Sequence, residues 1–338
     1  MNNKKIFSIV VPVYNAEKTI ERTLSSFISN KDYIREVILV NDKSTDTTFD
    51  KVEIFQKFFQ IIIVDNMGNH NPSAARRTGL IRATGDWITF VDSDDCLTFS
   101  SLRYVYKRII ENDNLLLLHC QSIYYESGNF NINSIGHSDT SCGGNFYNRK
   151  YLIRNRLYPH ETLYLTEDEY FNEKVIKYIT YCDIFSNDFS IEYYDYPVYE
   201  VHHDIEDGFS FAMRNWCDYL CRYRLLYKEY LTEDFIQYPH MKNILLKEFC
   251  DNIIFCFFLC QGLILDDDFE FNIEDNIQYF KRAITYFINT FNEEIDYLIS
   301  YYNNNIENTN NILLSAKSST GIEFESFIQF DTFVTELI

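Results

Sequence analysis

Residues 88–96 read "ITFVDSDDC", so an apolar, β-branched run stops at three carboxylates within four positions: Asp92, Asp94 and Asp95. Two unit charges ~4 Å apart repel by about 4 kcal/mol at an effective dielectric of about 20. A divalent cation offsets that cost. Mg²⁺ and Mn²⁺ take hard oxygen ligands and share them with substrate phosphates. The cluster therefore points to a metal that holds a diphosphate. A solvated acidic turn has the same composition, but this one follows a strand and stands beside three other polar strand ends. A further carboxylate, Asp42, closes the apolar run in "VNDKSTD". It can accept the imide N–H of a uracil, or it can simply cap a turn, a role that Ser44, Thr45 or Asp46 can also fill.

The elements that would position these groups alternate along the first third of the chain. "IFSIVVPVY", "EVILVN", "QIIIVDN" and "WITFVD" read as strands without apolar/polar alternation. Between them lie "AEKTIERTLSSFIS", with Ile20, Leu24, Phe27 and Ile28 at helical spacing, then the amphipathic "TDTTFDKVEIFQKFF", then "SAARRTGLIRAT", capped by Ser73 after Pro72. Unalternated strands separated by helices predict a parallel sheet covered on both faces, and ligands bind beyond the carboxyl ends of such strands. That places Pro12–Asn15, Asn41–Asp42, Asp65–Gly68 and Asp92–Asp95 on one rim. Further on, Phe99–Asn112 reads as a helix, "LLLLHCQSIYY" as a strand and 126–148 as an extended loop or hairpin. Glu169–Tyr181 reads as a helix and "IEYYDYPVYEV" as a late strand. From Phe209 onward strand signals vanish, and aromatic helices are expected at 209–231, 241–263 and 274–302. The spacing predicts a domain over 1–208 and a mainly helical region over 209–338.

The chain has 338 residues, enough for a domain of about 200–250 residues with an appendage. Its formal net charge of −20 argues against a nucleic-acid binder, which needs Lys and Arg against phosphates. Nine cysteines form no CxxC or Cys/His set and read as buried thiols of a reducing compartment. The N-terminal apolar stretch contains Pro12 and reads as a strand, not a signal peptide. The apolar run Ile253–Leu265 is shorter than the ~20 residues of a membrane span. A cytoplasmic protein is expected, with peripheral attachment to the inner face of the cell membrane left open. Exposed aromatics of the C-terminal helices can stack on a glycan or support a homo-oligomer.

"FSIVVPVYNAEKTIERTLSSF", "EVILVNDKSTDTT", "NMGNHNPSAARRTGLIRATGDWITFVDSDD" and "TEDEYFN" together resemble glycosyltransferase family 2, in order and spacing, over residues 6–205. The resemblance implies an α/β GT-A fold, a Rossmann-like mixed sheet flanked by helices. It implies transfer of a sugar from a nucleotide-diphosphate donor, UDP-linked, to a hydroxyl of a glycan, glycolipid or protein, with inversion and with Mn²⁺ or Mg²⁺. Position by position, it implies that Pro12 and Tyr14 line the base pocket and Asp42 reads the base. Arg76 would sit near base and phosphates, Asp92 by the ribose and Asp94 on the metal. Asp168 would be the general base, with Glu167 beside it; Glu167 and Asp95 are read as acceptor-side or supporting residues. The family's usual acid pair is Asn41–Asp42 here, and Arg77 stands where the family usually has Asn. Arg77 can contact phosphate or a charged acceptor, or face solvent.

Some family members complete the metal shell with a histidine after the last core strand. His202 and His203 lie there, and His203 is assigned the ligand role, against the alternative of a surface pair. Gly143 and Gly144 in "CGGNFYNRKYL" allow close approach to an acceptor sugar, or make an ordinary turn. Asp168 can also act as an N-terminal acid of the helix that follows it. Two other functions compete. One is an Asp-dependent phosphatase with Asp92 as nucleophile, but its signature belongs on a first strand. The other is a catalytically silent sugar-nucleotide-binding subunit, which would lack a metal or base residue.

Overall fold

A computed structural model describes residues 5–126, 129–137, 141–161, 167–182 and 190–203. The chain divides into two units, Met1–Phe211 and Ala212–Ile338, and everything below concerns the first. The helices expected over 209–338 lie outside the described residues.

Strand β1, Phe7–Val13, pairs in parallel with β2, Ile34–Asn41, and with β4, Trp87–Phe90; β2 pairs in parallel with β3, Ile61–Asp65. Side chains alternate across a strand, so Ile9 and Val11 enter one core while Val10 enters the other. Both faces are buried, which is why the sequence shows apolar runs rather than alternation. Helices α1, Ile20–Phe27, and α3, Leu102–Glu111, contribute Leu24, Phe27 and Val105 to the first core. Helix α2, Pro72–Arg82, contributes Ala75 and Leu80 to the second. It lies so close to the sheet that a Cβ on Gly79 would come within 2.2 Å of Val10 Cγ1.

Beyond β4 the sheet becomes mixed. Its order is β3-β2-β1-β4, then β8 (Asn145–Asn148), β6 (Leu115–Glu126), β9 (Ser190–His203) and β5 (Cys96–Leu97). β8 runs antiparallel to both β4 and β6. β9 is parallel to β6 and antiparallel to β5. The segment expected as loop or hairpin supplies β7, Asn129–His137, antiparallel to the outer part of β6. Helices α4, Arg149–Arg154, and α5, Glu167–Cys182, complete the described elements.

Two local expectations are corrected. Residues 46–59 form no α-helix but two 3₁₀ turns, Thr48–Lys51 and Glu53–Phe55. The Asp46 carboxylate accepts from the Thr48 N–H at 3.0 Å and the Glu17 N–H at 3.0 Å, and Lys51 Nζ donates to the Glu17 carbonyl at 2.6 Å. These bonds tie the segment to the β1–α1 connection, and side-chain–backbone bonds of this kind compete with a helical ladder. The cap of α2 is Asn71, whose Oδ1 accepts from the Ala74 N–H at 2.8 Å, with Pro72 at the first helical position. Ser73 is buried inside the first turn. Cys96, Cys120 and Cys142 are free, buried thiols. Among the described residues no helix is long and apolar enough to cross a membrane.

Candidate active site

Because β1, β2, β3 and β4 are parallel, their carboxyl ends share one rim. Register sets Val13 beside Asn41 and Asn41 beside Asp65. The turns after β1 and β2 place Asn15 and Lys43 in left-handed backbone, with φ of 48° and 66°. They are stitched together: Asn15 N–H donates to Ser44 Oγ at 3.1 Å, and Thr45 N–H donates to Asn15 Oδ1 at 2.8 Å. This fixes Tyr14, 53% exposed, over the rim beside half-buried Pro12 and buried Asp42. Asp42 Oδ1 accepts from Asn66 Nδ2 at 2.6 Å, and His70 Nδ1 lies 2.9 Å from Asp42 Oδ2. Asn41 Nδ2 donates to Asp65 Oδ1 at 3.2 Å, so a second acid at position 41 would face Asp65 as a like charge.

The acidic loop after β4 is clamped from α1. Arg22 Nη2 donates to the Asp94 carbonyl at 2.6 Å and Thr23 Oγ1 to the Ser93 carbonyl at 2.9 Å. Its three aspartates separate in role. Asp95 is buried and accepts on both oxygens, from the Tyr199 hydroxyl at 2.7 Å and the His202 N–H at 2.9 Å. Burial, then Asp94 and Asp92, push its carboxyl well above the usual range. Tyr199 in turn accepts from the Asp92 N–H at 3.1 Å. Asp95 is thus a fastening between the loop and β9. Asp92, whose side chain is 41% exposed, and Asp94 remain partly exposed. They are the kind of hard oxygen donors that Mg²⁺ or Mn²⁺ takes, so the donor chemistry fits such an ion.

Buried Arg76 on α2 joins this loop to α5. Nη2 donates to Asp92 Oδ1 and Nη1 to Glu167 Oε1, each at 2.7 Å. Burial works against the guanidinium's charge, but Asp92 and Glu167 overcome it and hold the proton more tightly than usual. Burial likewise raises Glu167, against the pull of Arg76. Asp168, the next residue, is pushed up to about 8 by burial, with Glu167 adding to the rise, Arg76 opposing it and Asp92 adding to it. The Glu169 N–H donates to Asp168 Oδ1 at 2.8 Å. The structure therefore gathers Arg76, Asp92, Glu167 and Asp168 into one cluster: one cation against three carboxyls, one of them poised to hold a proton near neutral pH.

The glycine pair packs on protein. A Cβ on Gly143 would lie 2.6 Å from Tyr199 Cε1, and Gly144 has φ of +76°. Arg77 is engaged by Glu161, with Nε 3.0 Å from Oε1, and its guanidinium lies 5.3 Å from the Tyr158 ring centroid. His202 stacks on Tyr125 at 4.8 Å and lies within 3.4 Å of Glu200. With Cys96 these two form a Cys/Glu/His group, in which burial pushes the thiol up to about 12. The His203 side chain lies outside the described residues. Sequence reasoning placed Asn66 on the rim without a role and missed His70, Arg22, Tyr199 and Glu161. The "NMGNHNP" stretch at the third strand end carried a signal for His70, while the others act across long sequence separations.

A family model described as Glycosyl transferase family 2 matches residues 8–176. The chain belongs to that family. Glycosyltransferase GlyA of Streptococcus pneumoniae is 36% identical over 104 residues, 31% of this chain and 15% of that protein. Minor teichoic acid biosynthesis protein GgaA of Bacillus subtilis is 28% identical over 201 residues, 51% of this chain and 44% of that protein. Poly(ribitol-phosphate) beta-N-acetylglucosaminyltransferase TarS of Staphylococcus aureus is 34% identical over 116 residues, 33% of this chain and 20% of that protein. The match spans less than half the length of each of these relatives. The crystal structure of S. aureus TarS 1-349 in complex with UDP-GlcNAc superposes with a TM-score of 0.66 at 22% identity, covering 95% of this chain and 93% of that one. That likeness establishes the fold, the GT-A mixed sheet with flanking helices.

Proposed function

We propose that the chain is an inverting glycosyltransferase that moves a sugar from a UDP-linked donor to a hydroxyl of a cell-envelope glycan polymer. The observation that carries this reading is the Arg76 fork, which ties Asp92 of the donor-side loop to Glu167, one residue before Asp168. Support comes from family membership, from relatives named for minor teichoic acid biosynthesis and for poly(ribitol-phosphate) N-acetylglucosaminyl transfer, and from the likeness to TarS solved with UDP and with UDP-GlcNAc.

Tyr14 and Pro12 offer the base an aromatic and a flat apolar surface, and Asp42 accepts its imide N–H. Asp92 takes the ribose side, and Asp94 with Asp92 would supply oxygens to hold Mn²⁺ or Mg²⁺. When bound, such an ion neutralises charge on the diphosphate leaving group. Arg76 adds a fixed positive charge beside it. Asp168 takes the acceptor hydroxyl's proton as the oxygen attacks the anomeric carbon in line, a contribution worth about 10²–10⁴-fold. One displacement breaks the sugar–phosphate bond and forms the glycosidic bond, so the anomeric centre inverts.

The test incubates the full chain with Mn²⁺ and a panel of nucleotide sugars, UDP-GlcNAc and UDP-glucose included, and follows nucleotide release and donor binding by calorimetry. Metal-dependent binding with UDP release is expected. Asp168→Asn should keep binding and lose transfer, and Asp94→Ala should weaken metal-dependent binding itself. A chain that binds no nucleotide sugar at saturating metal refutes the reading. One that binds and transfers nothing to water or to polyol-phosphate and glycan acceptors is a silent binder.

A further inference from the structure

Strands β5 and β9 bring together three metal-ligating side chains that the acidic rim does not use. Cys96 lies opposite Glu200 in the antiparallel ladder, and His202 is two residues further along β9. Directly opposed residues share a face of the sheet, and so do residues two apart on one strand. One ligand atom from each, a thiol sulfur, a carboxylate oxygen and a ring nitrogen, lies within 4.8 Å of the other two. His202 Nε2 stands 3.4 Å from Glu200 Oε2. Ligands held at Zn²⁺ bond lengths in a tetrahedron are themselves about 3.3–3.6 Å apart, so nitrogen and oxygen already have that spacing and the sulfur closes by at most roughly 1.3 Å. Two of the ligands are held from behind. The His202 ring stacks on Tyr125 with its plane tilted by 2°, and the His202 backbone N–H donates to Asp95 Oδ1 at 2.9 Å. Cys96 is buried, and the N–H of Leu97 beside it donates to Ser26 Oγ at 3.1 Å.

We propose that Cys96, Glu200 and His202 form a second metal site, separate from the acidic rim, which takes Zn²⁺ with a water in the fourth position and fastens β5 to β9. The ligand types sort the cations. A thiolate and an imidazole favour Zn²⁺, whereas the oxygens of Asp92 and Asp94 favour Mg²⁺ or Mn²⁺. Burial holds Cys96 as a thiol until a cation arrives; its proton then leaves to solvent as the sulfur–metal bond forms. Thiolate and carboxylate together carry two negative charges against the two positive charges of the ion, and the imidazole is neutral. Cys96 directly follows Asp95, so the ion braces the strand on which the acidic loop ends. The site needs no nucleotide, and a chain that binds no activated sugar still holds this ion.

The test titrates Co²⁺, a spectroscopic stand-in for Zn²⁺, into the metal-free full chain under a thiol-free reductant. A thiolate-to-cobalt charge-transfer band is expected, bleached by Zn²⁺ and untouched by excess Mg²⁺. Cys96→Ser should remove the band. Glu200→Gln and His202→Gln should each weaken Co²⁺ binding about tenfold or more, while Asp94→Ala keeps both band and affinity. Zn²⁺ should raise the Tm of the unaltered chain and leave that of Cys96→Ser unchanged. No band, or a band that Cys96→Ser leaves unchanged, overturns the proposal, the second because another cysteine then holds the ion. A band lost in Asp94→Ala overturns it too, since the cation would belong to the acidic rim. If Cys96→Ser does not fold, Glu200→Gln and His202→Gln decide.

Discussion

A carboxyl at about 8 should make the enzyme more active as pH rises, and the size of the effect follows from the Asp168 environment. Burial, the neighbouring Glu167 and Asp92 all raise that carboxyl from 3.8 to about 8, against the opposing pull of Arg76. A general base works only when ionised. At about pH 7 roughly one-tenth of such groups are ionised, and at about pH 9 roughly nine-tenths. The rate constant kcat/KM, which reports groups of the free enzyme, should therefore rise roughly tenfold across that interval, with a slope near one on a logarithmic plot below the bend. Because Glu167 titrates in contact with the same cluster, the bend belongs to the pair. The assay is the initial rate of UDP release at subsaturating donor and acceptor. Asp168→Asn should lower the rate about 10²–10⁴-fold and flatten the limb. Stability runs the other way. The folded state holds the Asp168 proton where the unfolded chain has released it, so this group's contribution to stability falls as pH rises from about 4 to about 8. Full activity at about pH 6, or a limb that survives Asp168→Asn, would falsify the assignment.

Other residues give separate tests. Arg76→Ala leaves Glu167 and Asp92 without their guanidinium; removing one partner of a buried ion pair costs about 3–5 kcal/mol, and urea unfolding should show it. Arg76→Lys should recover little of that stability, because an ammonium lacks the planar fork that spans two carboxylates. Arg22→Ala removes the bond to the Asp94 carbonyl and should raise the Mn²⁺ concentration for half-maximal activity, with circular dichroism unchanged. Gly143→Ala drives a methyl into the Tyr199 ring and should lower stability by about 1–3 kcal/mol in thermal unfolding.

The strands were legible because a sheet buried on both faces needs apolar side chains at every position, and few other structures do. Their parallel order then put the polar strand ends on one rim. Residues 46–59 were not legible, since an amphipathic stripe does not distinguish an α-helix from short 3₁₀ turns bonded elsewhere. Asn71 and Ser73 are both good caps, and the sequence does not say which of them starts the helix. Asp95 carries the same side chain as Asp92 and Asp94. What separates it is the Tyr199 hydroxyl, 104 positions away. Arg77 read as a solvated cation or a ligand contact because Glu161 and Tyr158 reach it only through the fold.

Pairings of this kind decide what the acidic rim can do. The repulsion read from three adjacent aspartates is divided three ways: Asp95 is withdrawn against β9, Asp92 gives one oxygen to Arg76, and Asp94 is held through its backbone by Arg22. Arg76 is the shared member. It pulls on Asp92 at the donor edge and on Glu167 beside Asp168, so a single guanidinium partly neutralises three carboxyls. Burial, and then the negative charge that the guanidinium leaves uncancelled on Glu167 and Asp92, push the Asp168 carboxyl up to about 8. The feature that suits the rim to a cation is thus continuous with the feature that tunes the base.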